Sequence, residues 1–409
     1  MKILILTQYF PPETGAPQNR LHSLAGYFSN LGAEVSILTA MPNYPKMEVF
    51  DGYRGKFYKY EEQGNIKVHR AWIFVSKSKS VIFRLLNYFS FVFSSLLIGI
   101  IKINKHDIII CESPPLFLGI SALILKWFKN SKLVFNVSDL WPESAEKLDI
   151  VTNKLLLGIS YKLEGLLYAK SNLVSGQTQG IVKNISDRYP QIKTYWLPNG
   201  IDFNQYNIQA NGADFRLTYA INSSDFILMY AGILGYAQGL DVIIKSAFIT
   251  KNFPEIKYVI IGDGPEKEKL LALSKELNLS NLIFIGNIPR ENMSNAIASC
   301  NVYIVPLKKN DLFLGAIPSK LFEPLAMGKP ILLGVDGEAR ELFIEKGNGG
   351  LFFTPEDADE LAEKVLYLNA NRNEISLLGD NGKKFVSINF NREKIAKLFF
   401  EKLESLNDN

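Results

Sequence analysis

Lys320 and Glu323 stand in the stretch 315–333, GAIPSKLFEPLAMGKPILL, at a spacing that could do chemistry on a nucleotide. Pro318 closes a loop, Ser319 reads as a helix N-cap, and Leu321, Phe322, Leu325 and Ala326 recur at helical spacing. Gly328 stops that helix, and Pro330 leads into a short buried strand, ILLGV. The pattern puts a lysine in a first helical turn with a glutamate just behind it. A helix N-terminus attracts anions through its free N–H groups and its dipole, so Lys320 and Ser319 suit a phosphate. An ionised carboxylate is a two-oxygen acceptor, so Glu323 suits two vicinal hydroxyls. Phosphate and ribose together are the back half of a nucleotide. The same spacing also fits an ordinary amphipathic helix with a lysine at its start.

Composition limits the function classes. The chain has 409 residues, long for one core, so two domains are expected. It is 47% hydrophobic and 21% charged, a globular balance. A net charge of only +4 excludes a strongly basic nucleic-acid binder. Cys111 and Cys300 form no metal or disulfide pattern, which fits a reducing cytoplasm. The opening MKILILTQYF runs at once into PPETG and reads as a strand rather than a signal peptide. His22, His69 and His106 are scattered and suggest no histidine-based metal site.

The elements that would carry the site follow in order. KILILTQYF reads as a parallel strand buried on both faces, PPETGAP as a loop, and the segment from Pro17 to about Leu31 as an amphipathic helix. Strand, glycine loop, helix, strand begins a doubly wound α/β domain, whose ligands bind at the carboxyl ends of the strands. That rule brings Gly15 and Ala16 to a binding edge. Arg20 and His22 lie in the first turns of the helix that follows; Arg20 reads equally as a solvated helix charge. Residues 41–75 hold PNYP, a polar aromatic-rich excursion and the strand-like VHRAWIF. Residues 81–103 are the most hydrophobic stretch, interrupted by Arg84, Asn87, Ser90, Ser94 and Ser95 and preceded by Lys77 and Lys79. It approaches bilayer-spanning length and admits three readings: a core helix, a spanning helix, or an interfacial helix with a basic collar. Asp139, Trp141 and Glu143 emerge after the strand KLVFNV. A carboxylate beside an aromatic suits a sugar, and an N-cap aspartate beside a core tryptophan is the equal alternative.

A second α/β pattern begins at FILMYAGIL. Gly232, Gly235 and Gly239 allow close backbone approach to a ligand, and Gly262, Asp263 and Gly264 repeat the strand–glycine-turn–helix unit.

The run PSK-x-FE-x-x-A-x-GKP resembles the donor-binding helix of retaining, nucleotide-sugar-dependent glycosyltransferases of family 4, which have the GT-B fold. The resemblance covers essentially the whole chain and is strongest to the WbuB-like bacterial subgroup, which includes N-acetyl-L-fucosamine transferases of O-antigen and capsule assembly. It implies two Rossmann-like doubly wound domains facing a cleft: an acceptor-binding domain at 1–200, a nucleotide-sugar-binding domain at 201–390, and a C-terminal helix at 391–409 that crosses back. It implies a diphosphate against the loop at Gly15, a hinge at Asn199, Gly200 and Asp202, and a nucleobase read by the backbone at Ile288. Two departures stand out. The first glutamate of the family's Glu-x7-Glu pair is Gly315 here, while the second matches Glu323. Ile233 and Gln238 stand near the places where relatives carry a diphosphate-binding arginine and lysine, which leaves Lys320 as the leading phosphate cation and Arg20 or Arg290 next in line. Donor contacts are thus expected from Gly15, Ala16, Gly232, Gly235, Gln238, Gly262, Asp263, Gly264, Ile288, Arg290, Ser319, Lys320, Leu321 and Glu323. Catalytic roles are expected for Lys320, Asp139 and Glu143, and acceptor contacts for Arg20, His22 and Trp141.

The activity implied is transfer of a sugar, such as an N-acetylated deoxyhexose, from a UDP-sugar to a lipid-diphosphate-linked saccharide with retention. No Asp-x-Asp cluster is found and no metal or other cofactor is expected. The acceptor hydroxyl would attack on the face of the leaving phosphate, whose oxygen takes the proton, so no strong general base is required. The expected setting is cytoplasmic, peripheral on the inner face of the membrane. The rivals are a non-transferase GT-B enzyme such as a UDP-sugar 2-epimerase, and an inactive binding module, the latter motivated by Gly315.

Overall fold

The computed structural model describes every residue except 79, 148–149, 204–209 and 409. It divides into two compact units, Met1–Asn199 with Arg392–Asn409, and Gly200–Asn391.

The first unit is built on eight strands: β1 Lys2–Leu6, β2 Glu34–Ala40, β3 Tyr58–Gln63, β4 Ile66–Ala71, β5 Ile108–Ser113, β6 Lys132–Val137, β7 Leu173–Gly176 and β8 Thr194–Trp196. Their order is β3-β4-β2-β1-β5-β6-β7-β8, parallel throughout except for β3. The strands read as near-continuous apolar runs because both faces are covered. On one face lie helix α1 (Ala16–Asn30) and the last helix, Arg392–Asn407, whose Phe399 and Phe400 rings meet Phe28 at 6.1 and 5.7 Å. On the other lie helices α2 (Val81–Lys102) and α3 (Leu118–Lys129). Strand order reverses between β1 and β5, so the loops after these strands open a crevice at the carboxyl edge.

The excursion after PNYP is loop and turn to residue 57 and then a strand. Tyr58–Gln63 pairs antiparallel with β4 as an edge strand, with Gly64 turning the chain at φ +58°. Its alternating Lys59, Glu61 and Glu62 hide the apolar signal, and a charged edge also resists strand addition.

Helix α2 resolves the most hydrophobic stretch in an unexpected way: its uncharged polar residues Asn87, Ser90, Ser94 and Ser95 bond inward, while Arg84 is exposed. Asn87 Nδ2 donates to the Phe74 carbonyl at 2.6 Å and its oxygen accepts from Gln8 at 2.9 Å. Ser90 accepts from the Phe74 N–H at 2.8 Å, Ser94 donates to the Trp72 carbonyl, and Ser95 donates to Ser121 of α3 at 3.1 Å. Phe91 and Ile98 fill the core, whereas Ile82, Phe93 and Ile101 are 68%, 64% and 62% exposed, and Phe89 is exposed beside them. The core-helix reading therefore holds for one side of α2 only. Of the collar cations, Lys77 is paired with Glu48 at 2.5 Å, and Lys79 lies outside the described residues.

The second unit has six parallel strands: β9 Phe226–Ala231, β10 Ile256–Ile261, β11 Leu282–Ile285, β12 Val302–Pro306, β13 Ile331–Gly334 and β14 Gly350–Phe352, in the order β11-β10-β9-β12-β13-β14. The order reverses between β9 and β12, again placing a crevice at the carboxyl edge. Both cysteines are buried and free.

Candidate functional site

The second unit gathers its site at that reversal. The turn after β9 begins at Gly232 (φ +149°) and the turn after β10 at Gly262 (φ +141°). A Cβ on Gly262 would stand 1.9 Å from the Gly232 carbonyl oxygen, so only glycine lets the two turns pack backbone to backbone. Gly235 then opens a single 3-10 turn, Tyr236–Gln238.

Lys320 reaches this turn from the segment after β12. It lies on a 3-10 turn, Ser319–Leu321, that runs directly into the short helix Phe322–Ala326. Its ammonium donates to Tyr230 Oη at 2.7 Å and to Gln238 Oε1, and stands 4.3 Å from the centre of the Tyr230 ring. Desolvation of the ammonium brings its pKa down to about 7. Tyr230 is buried, and its hydroxyl donates to the Ile233 carbonyl at 2.7 Å. Glu323 is half-buried in the first turn of the helix. Its charge bears on Tyr303, whose phenol is pushed well above its ordinary value by burial first and by Glu323 next. Tyr303 in turn donates to the Ala231 carbonyl and accepts the Ala231 N–H, each at 3.0 Å. The end of β9 thus anchors Lys320 through Tyr230, and Glu323 lies in the next helical turn.

Two expectations for this segment change. Ser319 caps nothing with its side chain; the turn is entered from Pro318, whose carbonyl accepts the Leu321 N–H at 3.2 Å. Leu321 is fully buried, so its side chain packs the core and cannot line a donor site. Asp263 is exposed and engaged with Lys267 at 3.3 Å, while Gly264 lies so close to the first turn that a Cβ would meet the Leu234 carbonyl at 2.5 Å. Ile288 is half-buried in the loop after β11, and Arg290 is exposed at the start of the helix Arg290–Ser299.

In the first unit, Gly15 precedes α1 with extended backbone and no side-chain cap, and Ala16 is the exposed first helical residue. Arg20 is not a solvated charge. It is buried and paired with buried Glu112 at 2.5 Å, and it also donates to Ser138 at 3.0 Å. Glu112 further accepts from Asn136 at 2.7 Å. A guanidinium compensated in this way is a poor candidate for an acceptor contact or a reserve phosphate cation. His22 is half-buried with its ring 5.7 Å from Phe10.

After β6, in the loop and the short helix Glu143–Lys147, the three candidates each have a different partner. Asp139 is exposed and accepts from Ser144 at 2.7 Å, Trp141 packs edge-on against Phe117 at 5.4 Å, and Glu143 pairs with Lys147 at 2.6 Å. Trp141 is half-buried against the core, closer to the packing alternative than to a bare stacking platform.

Sequence reasoning missed Tyr230, Glu112 and Glu13. Glu13 is a buried carboxylate that accepts the N–H groups of Asn43, Tyr44 and Phe10 at 2.7, 2.8 and 3.2 Å, binding the loop after β1 to the loop after β2. Burial raises its pKa against the pull of those bonds. A charged residue inside a proline–glycine loop was the available signal. Tyr230 gave none, since an aromatic at a strand end reads as core.

Comparison with known proteins agrees with this fold. Residues 214–385, within the second unit, match the family model described as glycosyl transferases group 1. The chain is 25% identical over 336 residues to a putative colanic acid biosynthesis glycosyl transferase, WcaI, of Escherichia coli K12, covering 80% of this chain and 82% of that one. It is 22% identical over 240 residues to O-antigen chain mannosyltransferase C of E. coli, covering 58% and 61%. Among solved structures it is similar to sucrose-phosphate synthase from Thermosynechococcus elongatus, with a TM-score of 0.78 at 16% identity over 99% and 98% of the two chains. It is also similar to Anabaena HepE in complex with UDP and glucose, with a TM-score of 0.71 at 16% identity over 99% and 100%. The chain is a glycosyltransferase of the two-domain GT-B fold, with a group 1 glycosyl transferase region at residues 214–385 of its second unit.

Proposed function

We propose that this glycosyltransferase is a retaining enzyme of the WbuB-like subgroup. It moves a sugar such as N-acetyl-L-fucosamine from UDP to a polyprenyl-diphosphate-linked saccharide in capsule or O-antigen synthesis. The observation that carries the reading is the place of Lys320, bonded to Tyr230 near the end of β9 beside the glycine turns, with Glu323 in the helical turn that follows it. The HepE structure holding UDP and the names of the WcaI and O-antigen relatives support the donor nucleotide and the pathway class.

In this mechanism Glu323 takes the ribose hydroxyls. Departure of UDP develops negative charge on the β-phosphate, which Lys320 stabilises together with the turn amides near Gly235. The acceptor hydroxyl attacks the face that the phosphate leaves, and a phosphate oxygen receives its proton. No metal is invoked.

A lipid-linked acceptor stays in the bilayer, so the enzyme must meet the inner membrane surface. The bare apolar side of α2 supports a peripheral contact, with Arg84, Lys102 and Lys105 as its cationic border.

A thermal-shift screen of UDP-sugars, followed by UDP release with and without a lipid-linked acceptor, tests the reading. Acceptor-dependent UDP release is the expected result. An epimerised UDP-sugar with no acceptor requirement would replace it with a 2-epimerase, and donor binding without turnover would replace it with a binding module.

A further inference from the structure

We propose that Tyr230 and Gln238 are positioning residues that hold the ammonium of Lys320 over the Gly232 turn, so that one cation site is made jointly by the loops after β9 and β12. The proposal rests on the reading of Lys320 as the partner of the donor diphosphate.

Lys320 belongs to the segment after β12, but both of its hydrogen-bond acceptors belong to β9 and the turn that follows. The direction of each bond is determined. The Tyr230 hydroxyl gives its proton to the Ile233 carbonyl at 2.7 Å, so toward Lys320 its oxygen acts as an acceptor. Buried Tyr230 cannot swing away, and its ring lies beneath the charge. Gly232 contributes through its backbone: at φ +149° it holds a conformation that side chains rarely adopt, and its Cα faces the ammonium, a built Cβ standing in ordinary contact with Nζ at 3.4 Å.

Both acceptors are neutral. A hydroxyl and an amide oxygen orient an ammonium without cancelling its charge, as a carboxylate in either place would. An ammonium has three donors, and these partners use two, leaving one for an incoming phosphate oxygen. The charged side chains near this cradle include Glu323, whose charge reaches neighbouring Tyr303, and Lys308, whose ammonium stands 4.0 Å from the Tyr236 ring centre and pairs with Glu356 at 3.7 Å.

Contact between Nζ and the Gln238 side chain carries a direct consequence. The cation at this point can be supplied from either loop, because position 238 already reaches the place where the charge stands.

The test is a relocation of the charge. Lys320→Gln should weaken UDP binding by calorimetry by at least about tenfold, the value of a charge-assisted hydrogen bond. Adding Gln238→Lys to that variant should recover most of the loss. Tyr230→Phe keeps the ring and removes the acceptor. It should lower kcat more than it raises KM and move the alkaline limb of the pH profile to lower pH. A readout independent of substrate is the titration of Lys320 in ligand-free protein, followed by NMR with labelled lysines. Its midpoint should move down in Tyr230→Phe and up in Gln238→Glu. A double variant no better than Lys320→Gln, or a Lys320 that titrates alike in parent, Tyr230→Phe and Gln238→Glu, overturns the proposal. Failure of every UDP-sugar to bind the parent would instead remove the donor reading, and the NMR titration would still decide the positioning.

Discussion

The ammonium of Lys320 stands 2.7 Å from the phenolic oxygen of Tyr230, a residue 90 positions earlier in the chain. That contact joins the end of β9 to the segment after the adjacent strand β12, at the point where strand order reverses. It also takes the lysine out of water, and the first prediction comes from that.

UDP affinity should fall as pH rises above neutrality. Burial disfavours the charged amine, with the folded pKa near 7 against an ordinary 10.5. Between these values the unfolded chain binds a proton that the ligand-free folded protein does not. The Lys320 contribution to stability therefore rises with pH across that window. A diphosphate favours the ammonium, so binding takes up a proton. Affinity should drop by up to about tenfold per pH unit above that pKa. Calorimetry in buffers of different protonation enthalpy measures the uptake; flat affinity from about pH 6.5 to 9 would contradict it.

Lys320→Ala should depress turnover more than donor affinity, by roughly a hundredfold or more, because its charge matters most as UDP leaves. Steady-state kinetics beside equilibrium UDP binding separates the two effects. Equal losses in both would move the lysine from transition-state stabilisation to simple binding.

Glu323→Gln should weaken UDP binding by roughly 1.5–3 kcal/mol, while UDP affinity relative to its 2′,3′-dideoxy analogue converges. The comparison isolates the ribose hydroxyls. An unchanged preference for the natural ribose would dismiss that assignment.

Arg20→Met should destabilise the first unit by about 3–5 kcal/mol, because it leaves Glu112 buried without its cation. Thermal unfolding should move down by on the order of 10 °C. Adding Glu112→Met should restore much of the loss, since a matched apolar pair often replaces a buried ion pair without penalty. A mild single variant would mean that water reaches the pair.

Phe93→Asp with Ile101→Ser should abolish co-sedimentation with anionic liposomes while UDP binding and the melting temperature persist. Both side chains are bare in the folded unit, so replacing them removes little core packing. Arg84→Glu should weaken binding at low salt, each cation near an anionic surface being worth about 1 kcal/mol. Lys77→Glu is the less informative reversal, because Lys77 already faces Glu48. A parent protein that remains in the supernatant with anionic vesicles would exclude the peripheral contact.

Much of the architecture was legible in the chain because its signals are local. Apolar β-branched runs such as KILIL and IKYVII mark strands covered on both faces, and glycines such as Gly232 and Gly262 mark turns that no side chain can share. In the sequence, the type and spacing of Lys320 and Glu323 are the signals that point to a nucleotide partner. What only the tertiary structure decided depends on partners far apart in sequence. Arg20 reads equally as a site residue and as a solvated helix charge until folding brings Glu112 to it across 92 positions. The edge strand Tyr58–Gln63 is hidden because an exposed edge carries no apolar run. Helix α2 kept three readings open because composition does not say which side faces in. Packing decided it, turning Asn87, Ser94 and Ser95 toward bonded partners and leaving Ile82, Phe93 and Ile101 outward. Position along the chain determines which groups are available, whereas burial and long-range pairing determine which of their charges and apolar faces remain free to act.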